Sequence, residues 1–253
     1  MELYRICRQN EHSLRWDACK VRFDPPLLEA RLVRRYKRFL ADIEWPDGRS
    51  ETVFCPDPGR MTGLQQAGSH IGLYQANNRA RKYTYTWEMV KIGDQWVGVN
   101  PVRANDLVYE AICAGAVGCL NGYAQIKREP PVHGGRLDLY LSGHANGVDC
   151  YVENKSVTAV DDAGIAMFPD AVSKRAVRHL CALTKLREAG FRAVMCWCVQ
   201  RSGITAVRPA DEIDPEYGRS LRAAVAVGVE LIALTCTVSP RGIRISGEAS
   251  PRL

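Results

Sequence analysis

The sequence predicts an α+β chain in two parts: a small N-terminal β-barrel, then a mixed sheet flanked by helices. Three observations carry that expectation. Residues 27–100 hold roughly five short runs with a period of two, separated by turn residues. From residue 101 a helical period takes over. The order beyond that point reads α-β-β-β-α-β and then α-β-β, which a sheet covered by helices accommodates most economically.

The barrel elements come first. In "FLADIEW" (39–45), Phe39, Ala41, Ile43 and Trp45 share one face and Asp42 and Glu44 the other, which puts Phe39 in the core. "PDG" then turns the chain. "SETVF" and "HIGLYQA" continue as strands around "CPDPGRMTG", an ordered loop, and "YTWEMVKIGDQWVGV" reads as a hairpin about Gly93-Asp94. An oligonucleotide-binding barrel is the natural candidate for so many short strands in so little chain. The expected division is an extension over 1–22, a barrel over 23–100 and a second domain over 101–253.

In that second domain "PVRANDLVYEAICAG" has a Pro start, a helical period and a Gly stop. "YAQIKRE", "RLDLYL" and "CYVENKSV" follow as strands. "DAVSKRAVRHLCALTKLREAG" is a long helix whose apolar stripe is Val172, Ala176, Leu180, Leu183 and Leu186. "FRAVMCWCVQ" is nearly unbroken apolar and belongs at the sheet centre. "DPEYGRSLRAAVAVG" is a further helix, and "VELIALTCTV" and "GIRIS" close the chain as strands.

Composition narrows the class. Lys and Arg number 34 against 28 Asp and Glu, a net charge of +6 that permits an anionic partner without demanding one. Placement says more: five of the eight residues in "RLVRRYKR" (31–38) are basic, and "RARK" (79–82) adds a second cluster. The 10 cysteines include no Cys-x-x-Cys pair, and the N-terminus carries charge where a secretion signal needs an apolar run. Reduced, mostly packed cysteines in a cytoplasmic protein are expected. No stretch suits a membrane span.

The chemistry concentrates in residues 136–157. Asp138 lies on one strand, Glu153 and Lys155 on the next, and period-two alternation puts all three on one face. A two-residue turn at Asn146-Gly147 would set Asp138 opposite Lys155, whereas a longer loop would set it opposite Glu153. Either way the three share a face, and where the two acids are adjacent their Cβ atoms lie roughly 5 Å apart and the carboxylates repel unless a cation joins them. Two such groups suit Mg²⁺, with the Lys beside it to orient water or stabilise a charged phosphorus centre. The alternative is a solvated strand face with weak ion pairs. Glu110, on the helix before the sheet, is a third candidate carboxylate. Arg175 and His179 lie one helical turn apart and suit a phosphate. Gln200 ends the central strand, either pointing into the site or capping the edge.

"RYKRFLAD", "CPDPGRMTG", "RKYTYTWE", "VNPVRANDLVYEA", "RLDLYL", "YVENKSVT" and "FPDAVSKRAVRHL" together, and in this order, resemble the sugar fermentation stimulation protein A family from about residue 23 to the mid-230s. The resemblance implies double-stranded DNA as partner, an oligonucleotide-binding-like barrel, and a C-terminal domain like the PD-(D/E)xK restriction-endonuclease core. It implies Asp138, Glu153 and Lys155 as catalytic residues and Glu110, Asp138 and Glu153 as ligands of Mg²⁺ or Mn²⁺. Arg34, Arg35, Lys37, Arg38, Arg81, Lys82, Arg175 and His179 are the expected nucleic-acid contacts. Two functions follow: a Mg²⁺-dependent phosphodiesterase on DNA, or a non-catalytic DNA-binding regulator linked to sugar, especially maltose, metabolism. Oligomeric state stays open, a homodimer included. Asn154 stands where an apolar residue is usual, "RSGITAV" lacks an expected acid, Ala176 replaces a Gly, and about the first 20 residues match nothing.

Overall fold

The computed structural model describes residues 20–76, 81–132 and 135–253. Residues 1–19 of the expected extension, and Arg79 of the second basic cluster, lie outside them. Residues 20–22 form β1 (Lys20–Arg22), an edge strand of the C-terminal sheet.

The barrel follows. Strand β2 (Leu28–Tyr36) pairs with β3 (Leu40–Glu44), and β3 with β4 (Ser50–Phe54). On its other side β2 pairs with β5 (His70–Gln75), and β5 with β6 (Tyr85–Ile92). A parallel contact, Phe54↔Thr86, joins β4 to β6 and closes the ring. Closure removes the sheet edges that would otherwise need protection. Strand β7 (Gln95–Gly98) returns along β6 through the Gly93-Asp94 turn. Leu32, Ala41, Ile43, Val53, Ile71, Leu73 and Trp87 fill the interior. Phe39 does not join them. It lies in the turn between β2 and β3, is 41% exposed, and stacks on Phe54 at the rim. The alternation that predicted a core Phe39 stops one residue short, because Lys37 and Arg38 take positive φ to reverse the chain.

Helix α1 (Pro101–Cys113) starts at Asn100, whose side chain accepts from the Val102 amide. Then come β8 (Gln125–Arg128), the short pair β9 (Pro131–Val132) and β10 (Gly135–Arg136), β11 (Leu139–Ser142), β12 (Cys150–Val157), β13 (Ala159–Val160) and β14 (Ala166–Phe168). Helix α2 (Lys174–Glu188), β15 (Arg192–Val199), β16 (Ala206–Pro209), α3 (Pro215–Ala226), β17 (Glu230–Ser239), β18 (Gly242–Glu248) and β19 (Ser250–Pro251) complete the chain. The main sheet runs β1-β18-β17-β15-β12-β11-β8, with β12, β15 and β17 parallel and β15 at its centre, as its apolar run requires. A second sheet, β13-β14-β16-β19, was not foreshadowed by the pattern.

One face of the main sheet packs Val152, Cys196, Cys198 and Cys236 beneath α1. The other packs Met195, Trp197 and Val199 beneath α2 and α3. Helix α2 begins later than the pattern suggested: Val172 precedes it and is 66% exposed, so Ala176, Leu180 and Leu183 carry the stripe. Of the eight described cysteines, Cys55, Cys150, Cys196, Cys198 and Cys236 are buried, and all eight are free thiols. No described helix is long and apolar enough to cross a membrane.

The two domains are fastened at three places. Buried Glu88 accepts both guanidinium bonds of Arg103, at 3.0 and 2.9 Å, and the Asn100 amide, tying β6 to the start of α1. The Gly98 amide donates to the Gln200 carbonyl at 2.9 Å, and Gln200 Nε2 donates to Asn100 O at 3.0 Å. Gln200 is therefore a joint between domains. Third, the Met61 amide donates to Asp170 Oδ2 at 2.7 Å. Gly59 makes this contact possible, because a Cβ there would lie 2.4 Å from Asp170 Oδ1.

Candidate active site

Strands β11 and β12 pair as Leu139↔Val152 and Leu141↔Cys150, so the connecting loop runs through Gly143–Asp149. This is the longer-loop register, and continued by one position it sets Asp138 opposite Glu153. The single alternating strand expected over 136–141 is broken at Asp138: Leu137 packs under α2, while Leu139 and Leu141 pack under α1. The break frees Asp138 to turn its carboxylate along the sheet. Its Oδ2 accepts the Asn154 amide at 2.7 Å and its Oδ1 the Asn105 side chain at 3.1 Å.

Glu153 is 2% exposed. Its Oε1 receives Lys155 Nζ at 2.6 Å and also His179 Nδ1. Lys155 Nζ and His179 Nδ1 are 3.0 Å apart, and Arg175 Nε donates to His179 Nε2 at 3.4 Å. The predicted cationic helix face thus meets the predicted strand face. Glu153 Oε2 is buried and has no hydrogen-bond partner. A bare carboxylate oxygen in a dry site is costly unless something cationic reaches it.

The two acids are shifted in opposite directions. Burial, then the nearby Glu153 charge, pushes the Asp138 carboxyl up to about 6, against the pull of the Asn154 amide and Lys155. Burial alone would raise Glu153 too, but the His179 and Lys155 contacts outweigh it and hold its pKa below the ordinary value. Splitting a carboxyl pair in this way is typical of sites that do chemistry.

Glu110 does not join the pair. It sits beside the Lys20 backbone, where burial raises its carboxyl and neighbouring Arg128 opposes the rise, and with Lys20, Arg22 and Arg128 it lines a separate surface hollow. The helical residue that reaches Asp138 is Asn105, whose Oδ1 also accepts from Asn154 Nδ2 at 2.8 Å. Asn154, the polar residue at an apolar position, thereby finds a partner across the sheet face. A polar residue three before Val108 and seven before Ile112, on the buried stripe of α1, was the overlooked signal. Among the described residues no group of three or more His, Cys, Asp and Glu side chains is spaced to hold a metal ion. Of the three expected ligands, only Asp138 and Glu153 lie together.

The expected nucleic-acid contacts divide. Lys37 and Arg38 project from the β2–β3 turn, and Arg81 and Lys82 are exposed beyond β5. Arg34 is exposed but engaged with Asp42 at 2.8 Å. Arg35 is turned inward, donating to the Asp57 carbonyl at 2.7 Å. Arg201, in the loop that lacks the expected acid, is half-buried and rests on the Thr158 carbonyl at 3.1 Å.

Known proteins agree with this architecture. Residues 33–99 match the family model described as the SfsA N-terminal OB domain, and residues 102–242 match the sugar fermentation stimulation protein RE domain. A sugar fermentation stimulation protein homolog of Alkalilimnicola ehrlichii is 46% identical over 230 residues, covering 89% of this chain and 97% of the relative. Its counterpart in Halorhodospira halophila is 48% identical over 226 residues, covering 88% and 94%. The solved structure of Pyrococcus furiosus SfsA in complex with Ca²⁺ superposes with a TM-score of 0.84 at 24% identity, covering 92% of this chain and 98% of that one, a likeness of fold. With both domain models matched in sequence order, and relatives at this identity aligned over nearly their full length, the chain belongs to the sugar fermentation stimulation protein family.

Proposed function

We propose that this protein binds double-stranded DNA and hydrolyses its phosphodiester bonds at the Asp138–Glu153 site with a divalent cation. One observation carries the reading: Glu153 Oε2 is buried, charged and without a donor, directly across from Asp138, while Lys155 and His179 close on the other oxygen. Asp138 and Glu153 would hold the ion, Mg²⁺ or Mn²⁺, which would supply Lewis-acid polarisation of a phosphoryl oxygen and a bound water of lowered pKa. Lys155 is set to stabilise negative charge on the phosphate, and His179 to fix Lys155 and Glu153 in place. The Asn105 and Asn154 donors hold the Asp138 oxygens in orientation. The Pyrococcus furiosus relative was solved with Ca²⁺, a hard, oxygen-seeking dication of the class two carboxylates attract.

The second reading, a DNA-binding regulator of sugar metabolism without hydrolysis, draws support from the ion pairing itself: Lys155 already neutralises Glu153, and His179 lies against the same oxygen. Incubation of purified protein with supercoiled plasmid and Mg²⁺ or Mn²⁺ separates the two. Nicking by the wild type, lost in a folded Glu153→Gln variant, is the expected result. Retention of plasmid without nicking, unchanged by the substitution, favours the binder, and equal nicking by both proteins removes the site from consideration.

A further inference from the structure

Exposed cations that the sequence did not single out flank the domain seam. Asp170 lies four residues before α2 and accepts the Met61 amide, so the barrel loop Pro56–Met61 is docked against the entrance of that helix. Arg60, between the two contact residues Gly59 and Met61, is exposed. On the helix side Lys174 and Arg178 are exposed and four apart, outside the stripe formed by Ala176, Leu180 and Leu183.

Several arginines are matched to carboxylates: Arg34 to Asp42, Arg103 to Glu88, Arg192 to Glu230, Arg208 to Asp161 and Glu212, Arg222 to Asp211. Arg60, Lys174 and Arg178 have no such partner among the described residues, although acids are close. Those acids are spent on backbone amides instead: Asp170 on Met61, Asp57 on Gly59 at 2.6 Å, and Asp214 on Ser173 at 2.8 Å and Tyr217 at 3.0 Å. Around the Met61–Asp170 contact, then, Arg35 is held by the Asp57 carbonyl and the acids are used for fastening, while Arg60, Lys174 and Arg178 stay unpaired. Arg175, on the adjoining side of α2, donates to His179 and so carries the strip towards Lys155 and Glu153.

We infer that Arg60, Lys174 and Arg178 form a phosphate-binding track that runs across both domains and leads a nucleic-acid backbone to the Asp138–Glu153 site, with the Asp170–Met61 contact holding the two halves in line. This rests on the DNA-binding reading above. It departs from the sequence expectation by moving the barrel's contribution from the basic clusters at 34–38 and 81–82 to the Pro56–Met61 loop.

Binding of a fluorescent duplex, measured in EDTA over a range of salt, tests it. Arg60→Ala, Lys174→Ala and Arg178→Ala should each lower the slope of log K against log salt by about 0.9, one phosphate contact apiece. Asp170→Ala supplies an independent check of opposite sign. It removes a negative charge, so electrostatics alone predicts tighter binding, whereas loss of alignment predicts weaker binding with the slope reduced. Unchanged slopes in the three surface variants, or tighter binding by Asp170→Ala, overturn the track while leaving DNA binding intact. Failure of the wild type to retain duplex overturns the DNA-binding reading and the track with it.

Discussion

Asp138 and Glu153 in the sheet, and Asp57 and Asp170 across the domain seam, are both pairs of largely buried acids, and in each pair one member is pushed up to about 6 by burial first. Their surroundings differ. At the seam, each acid receives a backbone amide from the Gly59–Met61 loop, and the Arg35 guanidinium sits on the Asp57 carbonyl. In the sheet, Lys155 and His179 crowd one oxygen of Glu153 and the other oxygen has no hydrogen-bond partner. Acids satisfied by fixed amides act as fasteners. Acids satisfied by mobile side chains, with an acceptor left over, are available to a ligand.

The largest effect should come from emptying the sheet pair. Glu153→Ala leaves Lys155, only 12% exposed, without its carboxylate. Breaking a buried pair from one side costs about 3–5 kcal/mol, and urea unfolding should find that loss. A loss below about 1 kcal/mol would mean that water already reaches Lys155 freely and that the contrast between the pairs is overdrawn.

The seam pair should respond to pH instead. Asp57 is raised from 3.8 to about 6, so the folded state keeps this proton to higher pH than the unfolded chain does. Its contribution favours folding at low pH and is lost as pH climbs from about 4 to about 6. Asp57→Asn retains an acceptor for Gly59 and has no charge to bury. It should stabilise the protein at pH 8 by up to about 3 kcal/mol, and the gain should vanish at pH 4. An equal gain at both values would assign the effect to something other than titration. At the same seam, Gly59→Ala drives a methyl into Asp170 and should cost about 1–3 kcal/mol in a melt, the ordinary penalty of overpacking. If it costs nothing, the loop shifts freely and the fastening is loose.

How much of this could be read from the chain follows the range of the interaction. The barrel strands, α1, α3 and the central place of β15 were legible because period and punctuation are local. So was the shared face of Glu153 and Lys155, two positions apart on one strand. The choice between the two hairpin registers was not, since Asn146-Gly147 invites a tight turn that the seven-residue loop overrides. Phe39 and Val172 were misplaced for one reason: each continues an apolar pattern past the residue where the element ends. A carboxylate on α1, Glu110, looks like a ligand in the sequence, but which helix residue faces Asp138 depends on how α1 lies across the sheet. Docking of Asp170 on Met61 spans 109 positions and leaves no local trace.

Asn105 offers the finest test of the contrast, because it gives the sheet pair something like the fastening of the seam. Its amide donates to Asp138 and its oxygen accepts from Asn154, so Asn105→Ala removes two bonds at a half-buried place where water can replace them in part. A loss of only about 1 kcal/mol in unfolding is expected. The more telling readout is the carboxyl itself. A donor on a carboxylate favours its charged form, so without Asn105 the Asp138 resonance, followed by NMR, should titrate above the wild-type midpoint. A midpoint that stays put would show that the Asn154 amide alone orients Asp138. The pair would then be held from its own strands, and α1 would serve only as cover for the sheet.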